Sequence, residues 1–404
     1  MPMLQPFAAL RPAPGRAAEV LAPPYDVLSS AEARQRAQGK PWSFLHVSKA
    51  EIDLPEDVDV HAPEVYAKAG ENIRAMVEAG VLVRDDAPGY YAYRLVMGDH
   101  VQTGVVAAGS IADYDANRIR RHEFTRPDKE DDRVAQIEAV NAQTGPVFLT
   151  HRHDAAVAAV LARATAGAPD TDEVADDGVR HILWRIAGAD DIRALTVAFQ
   201  AMPATYIADG HHRSAAASRV AKARPGSAAA QTFLVVSFPD DEVNILDYNR
   251  VVRDLNGLNA TGFLEAVSQA FTITPSDGPA KPTEAHTFGM YLAGKWYRLA
   301  LRDPAPADPV QRLDVSLLAD RLVGPILKIT DPRRDPRIDF VGGIRGMAEL
   351  ERRVDSGDWA AAFALFPTSL DDLMAVADAG QVMPPKSTWF EPKLADGMVS
   401  LVLD

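Results

Sequence analysis

Cysteine is absent from the chain. Disulfides, thiolate zinc sites, iron–sulfur clusters and cysteine nucleophiles are excluded with it. No run approaches the ~18 consecutive apolar residues that a membrane span needs, so no membrane partner is expected. The opening stretch MPMLQPFAALRPAPGRAAEV has no basic region followed by a long apolar core and a cleavage site. No secretory signal is read there, and a cytoplasmic location is expected. Positive charge is scarce: 42 Lys and Arg stand against 56 Asp and Glu, a formal net charge of −14. Sequence-independent binding of nucleic acid draws most of its affinity from a basic surface that neutralises phosphates. No nucleic-acid partner is expected.

Several catalytic signatures are missing too. There is no G-x-S-x-G elbow, no H-E-x-x-H pair and no G-x-G-x-x-G fingerprint. Gly289 to Lys295 matches the first seven positions of a phosphate-binding P-loop, but Trp296 stands where Ser or Thr should bind magnesium. Residues around it alternate as in a hairpin with Gly294 in the turn, whereas a P-loop must open a helix.

What is present is an ordinary globular composition, 47% apolar and 24% charged over 404 residues, too long for one simple core. The pattern predicts a mixed α+β, α/β fold in three parts: residues 1–150, 151–260 and 261–404. Ser29 followed by Glu32 marks a helix start. Pro63 to Gly80 repeats apolar residues at helical spacing and stops at a glycine. Tyr90–Val96 and Val101–Val106 read as a hairpin, and Asp128 to Ala142 as a helix. His151 to Ala189 is alanine-rich and acidic, and a boundary or insertion is expected near it. From Ile192 the pattern runs helix, strand at Thr205–Ala208, alanine-rich helix, strand at Thr232–Phe238, an α/β unit. Beyond Thr261 a hairpin and two or three helices are expected.

The stretch TYIADGHHRSAAASRVAKARPG places Asp209, Gly210, His211, His212 and Arg213 where a strand meets a helix. The first turn of a helix carries unpaired N–H groups and partial positive charge, an anion site before any side chain is counted. Gly210 lets backbone or ligand approach closely. His211, His212 and Arg213 add donors, and Asp209 either caps the helix or holds a magnesium ion. A phosphate uses all of these features together. The alternatives are a capping aspartate with a surface arginine, or a zinc site on the two histidines. Successive residues rarely converge on one ion, so zinc is disfavoured.

YIADGHHRSAAA resembles the D-G-H-H-R signature of the family called domain of unknown function 1015. The resemblance continues in order through PFAALRP at Pro6, APPYDVLS at Ala22, SFLHV at Ser43, RRHEFTRPDKEDDR at Arg120, TGPVFLTH at Thr144, LDYNRVV at Leu246 and MPPKSTWFEPKLADG at Met383. The D-G-H-H-R segment also resembles the phosphate-binding turn of the ParB/sulfiredoxin-like fold. That group includes nucleotide-binding DNA-partitioning proteins, sulfiredoxins and kinases of free L-serine. The resemblance implies a ParB/sulfiredoxin-like phosphate-binding unit within a larger multi-segment protein. The sulfiredoxin cysteine is missing, and the basic surface of a partitioning protein is missing. What remains implied is a magnesium-dependent kinase of a small hydroxyl substrate such as free L-serine, with ATP, ADP or pyrophosphate as donor. A metal-dependent phosphohydrolase and a non-catalytic nucleotide-binding regulatory module of ParB-like type are the alternatives.

Phosphoryl transfer needs cations on the phosphates, a metal ligand and a base for the acceptor hydroxyl. Three further clusters carry such groups. In Arg120 to Arg133, His122 or Glu123 supplies the base and Arg126 and Lys129 hold phosphate; the alternative is a solvated turn before a helix. Lys386, Ser387 and Thr388 offer an ammonium, two hydroxyls and backbone amides after Pro384 and Pro385; the alternative is a proline-braced strand. Tyr25 and Asp26 follow Pro23 and Pro24, and Asp26 is either a substrate contact or a turn cap. Asn249 and Arg250 are weaker substrate-binding candidates. His46 reads as a packed histidine.

Overall fold

The computed structural model describes all 404 residues, Met1 to Asp404. They form two compact units, Met1–Val243 with Pro392–Asp404, and Asn244–Glu391.

The first unit is built on a nine-stranded mixed sheet. Its strands are β1 (Leu4–Gln5), β2 (Tyr90–Met97), β3 (His100–Ser110), β4 (Ile119–Arg120), β5 (Val147–His151), β6 (Thr171–Val174), β7 (Arg180–Ile186), β8 (Thr205–Asp209) and β9 (Thr232–Pro239). Their order is β4-β8-β5-β9-β3-β2-β7-β6, with β1 on β3. The expected hairpin is β2–β3, paired from Tyr91↔Val106 to Met97↔His100. The longer helices are α1 (Ser30–Ala37), α2 (Pro63–Glu78), α3 (Pro127–Val140), α4 (Ala155–Ala164), α5 (Ala189–Ala201) and α6 (His211–Ala223). Ser29 and Glu32 form a reciprocal capping box at the head of α1, which satisfies two N–H groups the helix leaves open.

Two apolar clusters hold this unit. One joins the sheet to α4 and α5 through Val147, Leu149, Val160, Leu195, Phe199, Ile207 and Phe233. The other packs α1 and α2 through Ala33, Phe44, Leu45, Ala69, Ile73 and Met76. Burial of one such side chain is worth roughly 1.5–3 kcal/mol, so these residues rather than surface ion pairs decide the fold.

The chain divides elsewhere than residues 150 and 260. β7 pairs with β2 from Arg180↔Val96 to Ile186↔Tyr90, so the stretch around 151–189 is woven into the main sheet rather than marking a boundary. The final residues return to the first unit, where Leu401–Val402 pairs with Ala142–Gln143. Such long-range pairing leaves no local mark in composition. The strand–helix–strand unit at 205–239 is present with its own topology. β5 lies between β8 and β9, antiparallel to the first and parallel to the second.

The second unit is a six-stranded antiparallel sheet of β10 (Tyr248–Val252), β11 (Phe271–Ser276), β12 (Thr287–Leu292), β13 (Lys295–Leu301), β14 (Ile338–Gly342) and β15 (Ala361–Leu365), ordered β11-β13-β12-β15-β10-β14. It carries α7 (Gly346–Asp355) and α8 (Leu370–Asp378) among its helices. The P-loop-like stretch is the β12–β13 hairpin, closed by Leu292↔Lys295. Ala293 and Gly294 both have positive φ, 50° and 76°, the tight turn that matches strand twist. No helix of the structure is long and apolar enough to cross a membrane.

Candidate functional site

β8 is buried from Thr205 to Ala208 and delivers Asp209 to the sheet end. Pairing with β5 shifts register between Ile207 and Asp209, so one extra residue is accommodated just before the turn. Such a bulge re-aims the side chain that follows it. Gly210 then stands at the N-cap of α6 with φ 98° and ψ 28°. That left-handed backbone suits glycine and strains other residues. A Cβ here would also lie 3.0 Å from Arg213 Nε and 3.1 Å from its Cζ. The backbone therefore favours glycine, and any Cβ would press the Arg213 guanidinium aside.

No side chain caps α6. Asp209, a candidate cap, makes no capping bond. The helix ladder begins with Ser214 N–H donating to the Gly210 carbonyl at 3.0 Å, which leaves the N–H groups of the first turn outside the ladder. Helix ends left open in this way carry partial positive charge. Ala216, Ala217 and Ala221 are buried along α6, and their small side chains let the helix lie close on the sheet.

Asp209 sits between two cations. Lys393 Nζ is 3.1 Å from its Oδ2, and Arg213 Nη2 is 3.7 Å from its Oδ1. Burial alone would raise its pKa; Lys393 and then Arg213 instead hold it well below the usual carboxylate range. Arg213 folds back over Gly210 and donates to the Pro146 carbonyl. Burial opposes its charge, but Asp209 and then Asp26 keep it protonated.

β4 explains how the Arg120–Arg133 cluster reaches this turn. It runs parallel to β8, Thr205↔Ile119 and Tyr206↔Arg120, so both chains leave the sheet at the same end. His122 N–H then donates to His211 Nε2 at 3.5 Å, and Arg126 N–H to His212 Nδ1 at 3.4 Å. The accepting role of His211 Nε2 assigns its ring proton to Nδ1, which faces Glu123 Oε2 at 3.6 Å. The rings of His122 and His211 pack edge to face, 4.5 Å apart. Burial holds His211 well below its ordinary pKa, and the neighbouring His122 adds to this. Burial pushes His122 down to about 4. Both are neutral at pH 7.

The two histidines of the signature therefore diverge, His211 toward His122 and Glu123, His212 toward Arg126. No group of three His, Asp or Glu side chains is placed to hold a metal ion. The donor set fits no caged metal. Asp209 as a single carboxylate fits magnesium that arrives on a phosphate-bearing ligand, the usual mode for that ion.

Arg126 is 70% exposed at its side chain and pairs with Asp128. Lys129 is exposed in the first turn of α3. Tyr25 N–H donates to Asp396 Oδ2 at 3.2 Å, and Arg133 stacks on the Tyr25 ring at 3.8 Å. Burial pushes the Tyr25 phenol up to about 12. Asp26 is exposed beside them. His46, half-buried, bonds Asp53 at 2.7 Å.

Lys386, Ser387, Thr388, Asn249 and Arg250 belong to the second unit. There Arg250 donates to the carbonyls of Tyr248 and Lys386, and burial lowers its pKa to about 10. Ser387 Oγ donates to the Pro384 carbonyl at 2.6 Å. Asn249 donates to Asp247 and accepts from Leu365 N–H. These bonds brace the strand and the proline turn.

Asp396 is the residue that sequence reasoning did not single out, and the pairing of Lys393 with Asp209 was not foreseen. Their signal was the segment KLAD, Lys393 to Asp396, within the C-terminal landmark.

Fold and site together define a mixed α/β protein with an uncapped strand–glycine–helix turn, walled by neutral histidines and two cations. The chain belongs to the family described as Protein of unknown function (DUF1015), which matches residues 4–316. No curated protein matches it. Among solved structures it is similar to SbnI with C-terminal truncation from Staphylococcus aureus, at 13% identity over 73% of this chain and 87% of that one, TM-score 0.39. It is similar also to a free serine kinase in complex with AMP, at 12% identity over 71% and 86%, TM-score 0.34. A conserved hypothetical protein from Pyrococcus furiosus is similar at 13% identity over 72% and 93%, TM-score 0.34.

Proposed function

We propose that this protein is a small-molecule phosphotransferase, a magnesium-dependent kinase of a hydroxyl substrate, with free L-serine the first acceptor to try. The reading rests on one observation: an uncapped helix start behind Gly210, with Lys393, Arg213 and the histidines around it. In this reading 205–223 is a phosphate-binding unit of ParB/sulfiredoxin-like type. The N–H groups of the first turn of α6 hold the transferring phosphoryl group. His212 and Lys393 add donors, and Arg126 and Lys129 attract the donor's remaining phosphates. Magnesium, when bound with the donor, would neutralise phosphate charge beside Asp209.

Glu123 is the base. It is half-exposed, 49% at its side chain, and lies 3.6 Å from His211. His122 is buried and weakly basic, so it positions His211. In the reaction the acceptor oxygen forms a bond to phosphorus and the donor's bridging P–O bond breaks. The hydroxyl proton passes to Glu123, and the donor leaves with the electron pair.

The test is phosphoserine formation from L-serine and magnesium, with ATP, ADP and pyrophosphate each tried alone. His212→Ala runs in parallel, with binding of inorganic phosphate measured for both proteins. Product from one donor, reduced in the variant, is expected. No product from any donor, together with no phosphate binding, would remove the reading.

A further inference from the structure

At the other end of β5 from the Gly210 turn, under α4, lies a cavity of about 180 Å³. Side chains on one face of a strand recur every second residue. On four adjacent strands the face that packs in the core turns polar toward this end. Ala92 is followed by Arg94 on β2, Val105 by Thr103 on β3, Val235 by Ser237 on β9 and Leu149 by His151 on β5. Ser237 is 0% exposed and His151 1%. Burying polar groups costs free energy unless they find partners. A switch on four neighbouring strands at once, beneath a helix, builds a polar floor under an apolar roof.

The partners show which groups are spent. His151 Nδ1 and Ser237 Oγ meet at 2.8 Å. Burial holds His151 down to about 4, so it is neutral at pH 7. Asp154 accepts from the Ala156 and Val157 N–H groups and caps α4. His153 pairs with Asp241 at 3.0 Å on the surface. Two opposite charges in the wall remain, Arg94 and Glu242. The ladder between β9 and β3 ends at Ser237↔Val105, and Thr103 N–H donates instead to Glu242 Oε2 at 2.6 Å. The hydroxyl of the same Thr103 accepts from Arg94 Nε at 3.0 Å. Arg94 Nη2 donates to Thr165 Oγ1 at 3.3 Å, and the guanidinium lies 5.3 Å from the Trp184 ring centroid. Every side-chain hydrogen bond of Arg94 thus goes to a neutral hydroxyl. Thr103 holds the guanidinium on its side chain and the carboxylate on its backbone, and the two charges do not pair with each other.

We propose that this cavity is a second ligand site, and that it takes a small aliphatic α-amino acid as its zwitterion. The ligand carboxylate meets Arg94, where Thr103 and Thr165 occupy Nε and Nη2 and leave Nη1. The ligand ammonium meets Glu242, where Thr103 occupies Oε2 and leaves Oε1. An α-amino acid carries both charges on one carbon, which suits two wall charges anchored on one residue. A lone amine would leave Arg94 unmatched, and a lone carboxylate would leave Glu242 unmatched. Val157, Ala158, Leu161 and Ala162 of α4 form the apolar wall that receives the side chain. A single water needs roughly 10–15 Å³ on this measure, so the volume admits a molecule of about ten heavy atoms. Asp209 pairs with Phe148 near the start of β5, whereas His151 ends that strand. The site is therefore separate from the Gly210 turn and does not rest on the phosphotransferase reading.

The test is calorimetry on the full chain with L-leucine, 4-methylpentanoate, which lacks the amine, and 3-methylbutylamine, which lacks the carboxylate. L-Leucine is expected to bind at one site, about tenfold or more tightly than either truncated probe, the scale of one charged hydrogen bond. L-Serine is expected to bind more weakly than L-leucine, because it leaves the apolar wall uncovered. Glu242→Gln keeps an oxygen for Thr103 N–H and removes the charge; it is expected to lower L-leucine affinity about tenfold or more. Ala162→Phe, from an exposed position on α4, is expected to fill the cavity and abolish binding while the thermal midpoint stays put. His212→Ala is expected to leave L-leucine binding unchanged. No L-leucine binding, equal binding of a truncated probe, or full binding in Ala162→Phe overturns the site. Binding lost in His212→Ala overturns it too and moves the amino acid to the Gly210 turn.

Discussion

Lys393 and Asp209 lie 184 residues apart in sequence and meet at 3.1 Å, Nζ to Oδ2. The bond ties the C-terminal segment to the head of α6 and keeps the Asp209 carboxylate ionised.

Lys393→Met removes the nearer of the two cations on Asp209. The folded-state pKa of that carboxylate lies below its unfolded value, so its stabilisation is present above pH ~4 and lost as pH falls further. The variant is expected to unfold at higher pH on acidification. At pH 7 the loss is about 1 kcal/mol or less, because both side chains are a quarter to a third exposed. Urea melts at pH 7 and pH 4 check both numbers. An unchanged acid midpoint would sink the argument.

Gly210→Ala forces a Cβ into left-handed backbone and against the Arg213 guanidinium. The backbone term alone is about 1–2 kcal/mol, and displacement of Arg213 adds to it. Denaturant midpoints report the cost, and a phosphate titration is expected to show weaker binding at the distorted turn. A neutral substitution would mean that the turn relaxes to another conformation.

Asp396 contributes pH dependence of the opposite sign to Asp209. Burial, opposed by Arg213 and Arg133 and aided by Asp26, raises it to about 7 from 3.8. The folded state binds the extra proton between those values, so stability is full near pH 4 and falls as pH rises toward 7. The shift sets an upper bound of about 4 kcal/mol. The stability difference between wild type and Asp396→Asn, followed from pH 4.5 to 8 by guanidinium melts, is expected to shrink or reverse with rising pH. A flat difference would contradict it.

Glu123→Gln removes the proposed base from a half-exposed position. Stability is expected to stay within about 0.5 kcal/mol. Turnover is expected to fall by roughly 10²–10⁴, with phosphate affinity little changed. Full activity in the variant would assign the base elsewhere.

Much of the local structure was legible. The α1 capping box, the β2–β3 hairpin and the α2 and α3 helices follow from short-range periodicity, caps and turns, which are properties of neighbouring residues. The β12–β13 hairpin was legible for the same reason, since a Gly-containing turn between alternating runs has one comfortable geometry. The unit boundaries were not. β7 joins β2, and the final residues return to Ala142–Gln143, through pairings that no local pattern encodes.

The sequence by itself determined the ingredients of the site: Asp209, a glycine, two histidines and an arginine at a helix start, with no thiol to compete. Only the tertiary structure decided their company. Parallel pairing of β4 with β8 brought His122, Glu123 and Arg126 to the turn. The returning C-terminal segment supplied Lys393 and Asp396. Hydrogen bonding and helical periodicity act over a few residues and can be read along a chain. Burial and Coulomb interaction depend on distance in space, and those distances exist only once the sheet has formed.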